Sequence, residues 1–217
     1  MYVPEHFSLT TEQAVALLSP VRAGDLVTTG PNGLAATFIP MMYVPGDGFG
    51  RLLGHVSRVN PQWKDAGEAL FIVNGPNDYI DAAWLSRPEA VSVPTWNYVT
   101  VHAHGELIVH PEPEWMLQTV RELSLAQGDD TVTTMPEEAV EILLRSIVGV
   151  ELRITKLVGK AKMSQNKSPE VITQVIEGLA EAGNQEAADW MQEHSLPRAQ
   201  AKAELVDGIR RQAQSGR

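Results

Sequence analysis

Tyr98-Val99-Thr100-Val101-His102-Ala103-His104 is the stretch whose reading decides the fold. Side chains alternate across an extended chain, so Val99, Val101 and Ala103 share one face while Thr100, His102 and His104 share the other. Glu106 to Val109 is expected to prolong this strand past Gly105, a position that suits a bulge or a close approach of two backbones.

Upstream, further segments are too short and too β-rich for helices. Asp25 to Thr29 runs into Gly30-Pro31-Asn32-Gly33, and Leu34 to Ile39 runs out of it. Asn-Gly tolerates positive φ at both turn positions, which predicts a hairpin. Arg51 to Arg58 and Ala69 to Val73 read as additional strands. Ahead of them, Thr10-Thr11-Glu12-Gln13 has capping-box spacing and starts a short helix over residues 11–19.

Downstream, Met116, Val120 and Leu123 recur with helical period, as do Val140, Leu143, Leu144 and Ile147 after Pro136, which suits a first-turn position. A polar loop over Gly128 to Thr134 separates these two helices, and Val150 to Val158 returns to strand alternation. Ser168-Pro169 then opens a helix lined by Val171, Ile172, Val175, Ile176 and Leu179. The remainder is helical and polar, fraying at Ser215-Gly216-Arg217. Antiparallel hairpins without strand–helix–strand alternation place the chain in the α+β class and favour a small barrel over a doubly wound sheet.

Composition narrows the function. The 217 residues suffice for one large domain or a domain with a helical appendage. No run of residues is apolar enough to span a membrane, and the opening residues have no basic region followed by an apolar stretch, so no export signal is expected. Without cysteine there are no disulfides, thiolate metal sites or thiol nucleophiles, which fits a cytoplasmic location. A formal net charge of −10 argues against broad contact with nucleic acid. Arg153, Lys156, Lys160, Lys162 and Lys167 nevertheless cluster, and a local site for a small anion is easier to defend than a DNA-binding face.

Three segments carry possible chemistry. Gly54-His55-Val56-Ser57-Arg58-Val59-Asn60-Pro61-Gln62-Trp63 ends a strand with donors that suit a phosphate, but on spacing alone it reads sooner as an exposed arginine beside a turn stapled by Trp63. Val93-Pro94-Thr95-Trp96-Asn97-Tyr98 offers a stacking ring and an amide to a planar heterocycle, or else ordinary core packing. Gly159-Lys160-Ala161-Lys162-Met163-Ser164-Gln165-Asn166-Lys167-Ser168 sets lysines and hydroxyl and amide groups before a helix start, which favours an anion; a solvated basic loop is the other reading. His102 and His104 share a strand face without an evident third metal ligand. No Gly-x-Ser-x-Gly elbow, Gly-x-Gly-x-x-Gly turn or phosphate-binding Walker loop occurs.

Together these stretches resemble the PaiB family of FMN-binding negative transcriptional regulators. The matches are Met1-Tyr2-Val3-Pro4 with His6-Phe7, Gly54-His55 through Trp63, Gly75-Pro76 with Tyr79-Ile80 and Trp84, Val93 to Tyr98, Val101-His102 with Gly105, Ile147-Val148-Gly149, and Gly159-Lys160 with Lys162 and Ser164-Gln165-Asn166. The resemblance implies an antiparallel split β-barrel of the FMN-binding, pyridoxamine-phosphate-oxidase-like type, with flanking helices and a helical C-terminus. It implies a barrel domain over 1–167 that includes the inserted helices, and a helical extension over 168–217 packed on the barrel or on a dimer partner. Two subunits are expected to build each FMN site. His55, Ser57, Arg58, Asn60, Trp63, Lys160, Lys162, Ser164, Gln165 and Asn166 are its implied cofactor-binding residues, with Ser57 and Arg58 on the phosphate and Thr95, Trp96 and Asn97 beside the isoalloxazine. The chain departs from the family pattern at Phe38, Asn77, Asp78, Leu85 and His104.

The function implied is negative regulation of transcription through a partner or through flavin state, since no helix-turn-helix with a basic recognition helix is evident. Direct nucleic-acid contact stays open. A flavin-dependent oxidoreductase is the alternative, in which the cofactor supplies hydride chemistry and His55, His102 and His104 are the near-neutral proton donors. Haem binding or degradation is a third reading, on the same histidines.

Overall fold

Thr10 caps the first helix as its spacing foretells. Its hydroxyl accepts from Gln13 N at 3.2 Å, and Gln13 Oε1 accepts from Thr10 N at 3.0 Å, which starts α1 over Thr11–Leu18. The computed structural model describes residues 1–85 and 94–215. Val93, expected at the mouth of the central strand, and Gly216-Arg217 lie outside the described residues. The chain falls into two compact units: Met1, Leu9–Val73 and Thr100–Gly159 form the first; Tyr2–Ser8, Asn74–Val99 and Lys160–Arg217 form the second.

Six strands organise the first unit: β1 (Val21–Gly30), β2 (Gly33–Val44), β3 (Arg51–Ser57), β4 (Gly67–Ile80), β5 (Thr95–His110) and β6 (Ile147–Lys162). They follow the order β1-β2-β3-β6-β5-β4, and β1 pairs antiparallel with both β2 and β4, so the sheet returns on itself as a ring. The β3 pairings with β2 and β6 are antiparallel too. The expected hairpin forms, with Gly30 opposite Gly33. Its turn differs from the expectation in one respect: positive φ falls on Gly33 and not on Asn32. Pro31 locks the first turn position at negative φ, which excludes the mirror-image turn.

Alternation fills the ring. Leu26, Met41, Leu52, Phe71, Val101, Ala103, Val150 and Leu152 are wholly buried and pack together. Each large member is worth about 1.5–3 kcal/mol relative to exposure. β5 runs straight through Gly105, where a Cβ would come within 2.1 Å of the Arg153 carbonyl oxygen. The glycine therefore serves a close backbone approach and not a break.

Outside the ring, α2 (Pro113–Ala126) packs on β3, and Leu123 joins Val21, Met42 and Leu53. Thr131–Thr134, expected as loop, forms a single turn, α3; α4 spans Glu137–Arg145 with Pro136 at its N-cap, one position before the expected one.

The second unit holds the 3-10 turn Glu5–Phe7, the strand ends Asn74–Ile80, Thr95–Val99 and Lys160–Lys162, and a run of helices. These are α5 (Pro169–Glu181), α6 (Gln185–Trp190), a π-helical turn over Met191–Ser195, and α7 (Leu196–Ser215). Ile172, Val175, Leu179, Ala187 and Met191 are buried along these helices, as the spacing of α5 predicts. Gly178 admits the indole of Trp84, which would lie 2.3 Å from an added Cβ.

Candidate functional site

At the end of β6, Lys162 and Lys167 meet the polar turn that the sequence singled out at one cavity. It encloses about 320 Å³ and is lined by Phe7, Thr95, Lys162, Ser164, Asn166 and Lys167, with Ile80, Leu85, Pro94, Val171 and Val175 supplying apolar walls. Among the described residues no carboxylate lines it. Burial lowers the Lys162 pKa from its usual 10.5, and the charges of Lys160 and Lys167 lower it further. Mutual repulsion among these cations is relieved by an anion. The N-terminus of α5 adds the positive end of a helix dipole, with Ser168 at the N-cap making no side-chain capping bond.

The lysines are held by the strand beside them. Lys162 Nζ donates to Thr95 Oγ1 and to the Trp96 carbonyl, while Lys160 Nζ lies 5.3 Å from the centroid of the Tyr98 ring. Trp96 is half exposed (51%), and its Nε1 donates to Asn77 Oδ1 at 3.4 Å. A half-open indole suits a stacked heterocycle, but Trp96 is not among the residues that line the cavity.

The turn is tightly built. Gln165 accepts from Met163 N through Oε1 at 2.8 Å and donates from Nε2 to the Ala161 carbonyl at 2.8 Å. Ser164 takes φ +62°, and among the described residues it is the one non-glycine with positive φ. That conformation costs about 1–2 kcal/mol in an L-residue. Asn97, expected beside a ring, is buried, and its amide serves Ser164 and Met191.

The earlier strand end lies in the first unit and is engaged in structure. Arg58 donates through Nε to the Arg145 carbonyl and through a terminal nitrogen to the Ile147 carbonyl, both at 2.8 Å. Asn60 accepts from Gln62 N and donates to Thr37 Oγ1, Trp63 donates to the Arg58 carbonyl, and Ser57 sits exposed at the end of β3 opposite Ile147. His55 is largely buried, its Nδ1 has no partner, and burial lowers its pKa. The rings of His102 and His104 are 6.3 Å apart, both with pKa values lowered chiefly by burial. Among the described residues no group of three or more metal-ligating side chains occurs.

Two departures from the family pattern have a structural use: Asn184, which caps α6, donates to the Asn77 carbonyl and to Asp78 Oδ2, both at 3.0 Å. Lys167, Phe7 and Leu85 line the cavity without having been singled out as ligands. Lys167 was legible in the basic run; the apolar walls carried no local signal.

Residues 1–156 match the protein family described as "Putative FMN-binding domain". The chain belongs to this family, and FMN is its cofactor. It is 28% identical over 215 residues to Protease synthase and sporulation protein PAI 2 of Bacillus subtilis, covering 95% of this chain and 97% of the relative. This bears out the resemblance to the PaiB family. An uncharacterized protein of Aspergillus fumigatus is 29% identical over 178 residues, covering 63% of this chain and 68% of that one.

Among solved structures, the flavocytochrome Anf3 of Azotobacter vinelandii superposes with a TM-score of 0.56 at 12% identity, covering 74% of this chain and 72% of its own. The FAD and heme binding protein of Mycobacterium smegmatis does so with 0.55 at 14% identity, covering 72% and 73%. At such identities the likeness concerns the fold. The residues at the cavity fit the phosphate of FMN: crowded cations, hydroxyl and amide donors and a helix start suit that group. Among the described residues no helix is long and apolar enough to cross a membrane.

Proposed function

We propose that this chain is a PaiB-type flavoprotein that lowers transcription through a partner protein or through the state of its flavin. The observation that carries the reading is the cavity where Lys162 and Lys167 meet Ser164, Asn166 and the start of α5, with no carboxylate in its lining among the described residues. In this reading the side chains of Lys160, Lys162, Lys167 and Asn166 and the main-chain N–H of Ser164, whose hydroxyl is engaged by Asn97, hold the phosphate, and Thr95 and Trp96 face the ring system. When bound, the flavin supplies the capacity to accept and release hydride or single electrons. The chain's own contribution is to bind and orient it.

The ring of strands is the split barrel of this reading, with residues 168–217 as its helical extension. The protein acts in the cytoplasm as a homodimer with cofactor sites at the interface. Leu34 and Phe38 on β2, 78% and 70% exposed, are apolar surface that a second copy would cover. The acidic balance supports action through a partner more than groove reading.

The test is to purify the protein, record its visible flavin absorbance, and titrate apoprotein with FMN and with riboflavin, which lacks the phosphate. FMN should bind at least about tenfold more tightly than riboflavin, given about 1.5–3 kcal/mol for hydrogen bonds to a charged group. Equal affinity would defeat the phosphate assignment. Sedimentation of the FMN-loaded protein as a stable monomer would defeat the dimer.

A further inference from the structure

Ser164 holds a backbone conformation that serine rarely adopts, and residues outside the cavity enforce it. Asn97 Nδ2 donates to Ser164 Oγ at 3.1 Å and to Met191 Sδ at 3.5 Å, while Ser164 Oγ lies 3.3 Å from Asn97 Oδ1 and donates to it. Ser195 Oγ donates to the Met163 carbonyl at 2.8 Å, one residue before the strained position. Asn97, Met191 and Ser195 are all essentially solvent-free, and none of them lines the cavity.

Met191 and Ser195 are the two ends of the π-helical turn. Such turns are rare and frequent at functional sites, because the widened turn re-aims side chains that an α-helix would place elsewhere. Here the widened turn sets the Ser195 hydroxyl on the loop Met163 to Lys167 and the Met191 thioether on Asn97, which in turn holds Ser164. Ser195 holds the Met163 carbonyl, Met191 braces the Asn97 amide that holds the Ser164 hydroxyl, and Lys167 N closes the loop onto the Ser164 carbonyl at 2.9 Å. Strain of this kind survives only where the surroundings over-determine it.

We infer that Asn97, Met191 and Ser195 are positioning residues: they hold Ser164 left-handed so that the Ser164–Lys167 turn presents its donors to a flavin phosphate. All of them lie beyond residues 1–156 of the family match or, for Asn97, act on a residue that does. The C-terminal helices thereby become part of the cofactor site. This inference rests on reading the cavity as the phosphate site, and the experiment separates the two.

FMN and riboflavin affinities are measured by flavin fluorescence for the wild type and for Ser164→Gly, Ser164→Ala, Ser195→Ala and Met191→Leu, with thermal unfolding recorded for each. Glycine takes positive φ without strain, so Ser164→Gly should keep FMN affinity within about threefold although the hydroxyl is gone. Ser164→Ala should lose about tenfold or more, because alanine lacks both the freedom and the Asn97 bond. Ser195→Ala and Met191→Leu should weaken FMN several-fold and leave riboflavin unchanged, and the Ser195→Ala loss should shrink in the Ser164→Gly background.

If Ser164→Gly binds FMN as poorly as Ser164→Ala, the hydroxyl is a ligand and the positioning role is wrong. Equal losses for both flavins in Ser195→Ala would likewise overturn it. A wild type that does not prefer FMN to riboflavin defeats the phosphate site itself. Should Ser195→Ala fail to fold, the contrast between the two Ser164 variants decides alone.

Discussion

Lys162 Nζ stands 2.5 Å from Thr95 Oγ1, so the end of β6 and the start of β5 jointly fix a cation at the wall of the cavity. Replacing Lys162 with methionine keeps the stem and removes the charge. FMN affinity should fall about ten- to hundredfold and riboflavin affinity far less, as followed by fluorescence titration.

The same lysine predicts a pH dependence. Its folded pKa lies below the usual 10.5, so the unfolded chain holds this proton more firmly. The penalty for charging it in the fold is present at neutral pH and is relieved as pH rises from the folded value toward 10.5. Binding of a phosphate dianion opposes that deprotonation. FMN affinity should decline as pH rises through the lowered value, below 10.5, and the decline should be absent in Lys162→Met.

His55, His102 and His104 set the acid side. Burial lowers all three from the usual 6.5, so the folded protein resists protonation that the unfolded chain accepts. Their neutral forms cost nothing above 6.5; stability is lost as pH falls below 6.5 toward the folded values. Melting temperature measured from pH 8 down to pH 5 should drop below about 6.5, and His55→Gln should flatten the drop. An unchanged profile in that variant would exclude His55 as a contributor.

Gly105 is a packing requirement. With a Cβ 2.1 Å from the Arg153 carbonyl oxygen, Gly105→Ala must push β5 and β6 apart. A loss of about 1–3 kcal/mol is expected from overpacking, read from urea unfolding midpoints.

Arg58 distinguishes a ligand from a strut. Its guanidinium is given to the carbonyls of Arg145 and Ile147, where α4 hands over to β6. Arg58→Gln should lower the melting temperature and change the ratio of FMN to riboflavin affinity by less than Lys162→Met does. A larger change in that ratio than Lys162→Met produces would make Arg58 a phosphate ligand.

Local chemistry alone was enough for much of the molecule. The Thr10–Gln13 cap, the alternation of Val99, Val101 and Ala103, the hairpin around Pro31-Asn32 and the period of α5 are each set by neighbouring residues, and each forms. The basic run Lys160 to Lys167 and the motifs shared with the PaiB family also stand in the primary structure. What tertiary structure decided is where each polar group spends its bonds. Asn97 turned inward to Ser164 and Met191, and Arg58 turned to two carbonyls. The ring closure of β1 on β4 and the π-helical turn under the loop depend on contacts between residues far apart in the chain. Alternation and period describe only the near neighbours of a residue, so they carry no information about a partner that folding brings from a distance.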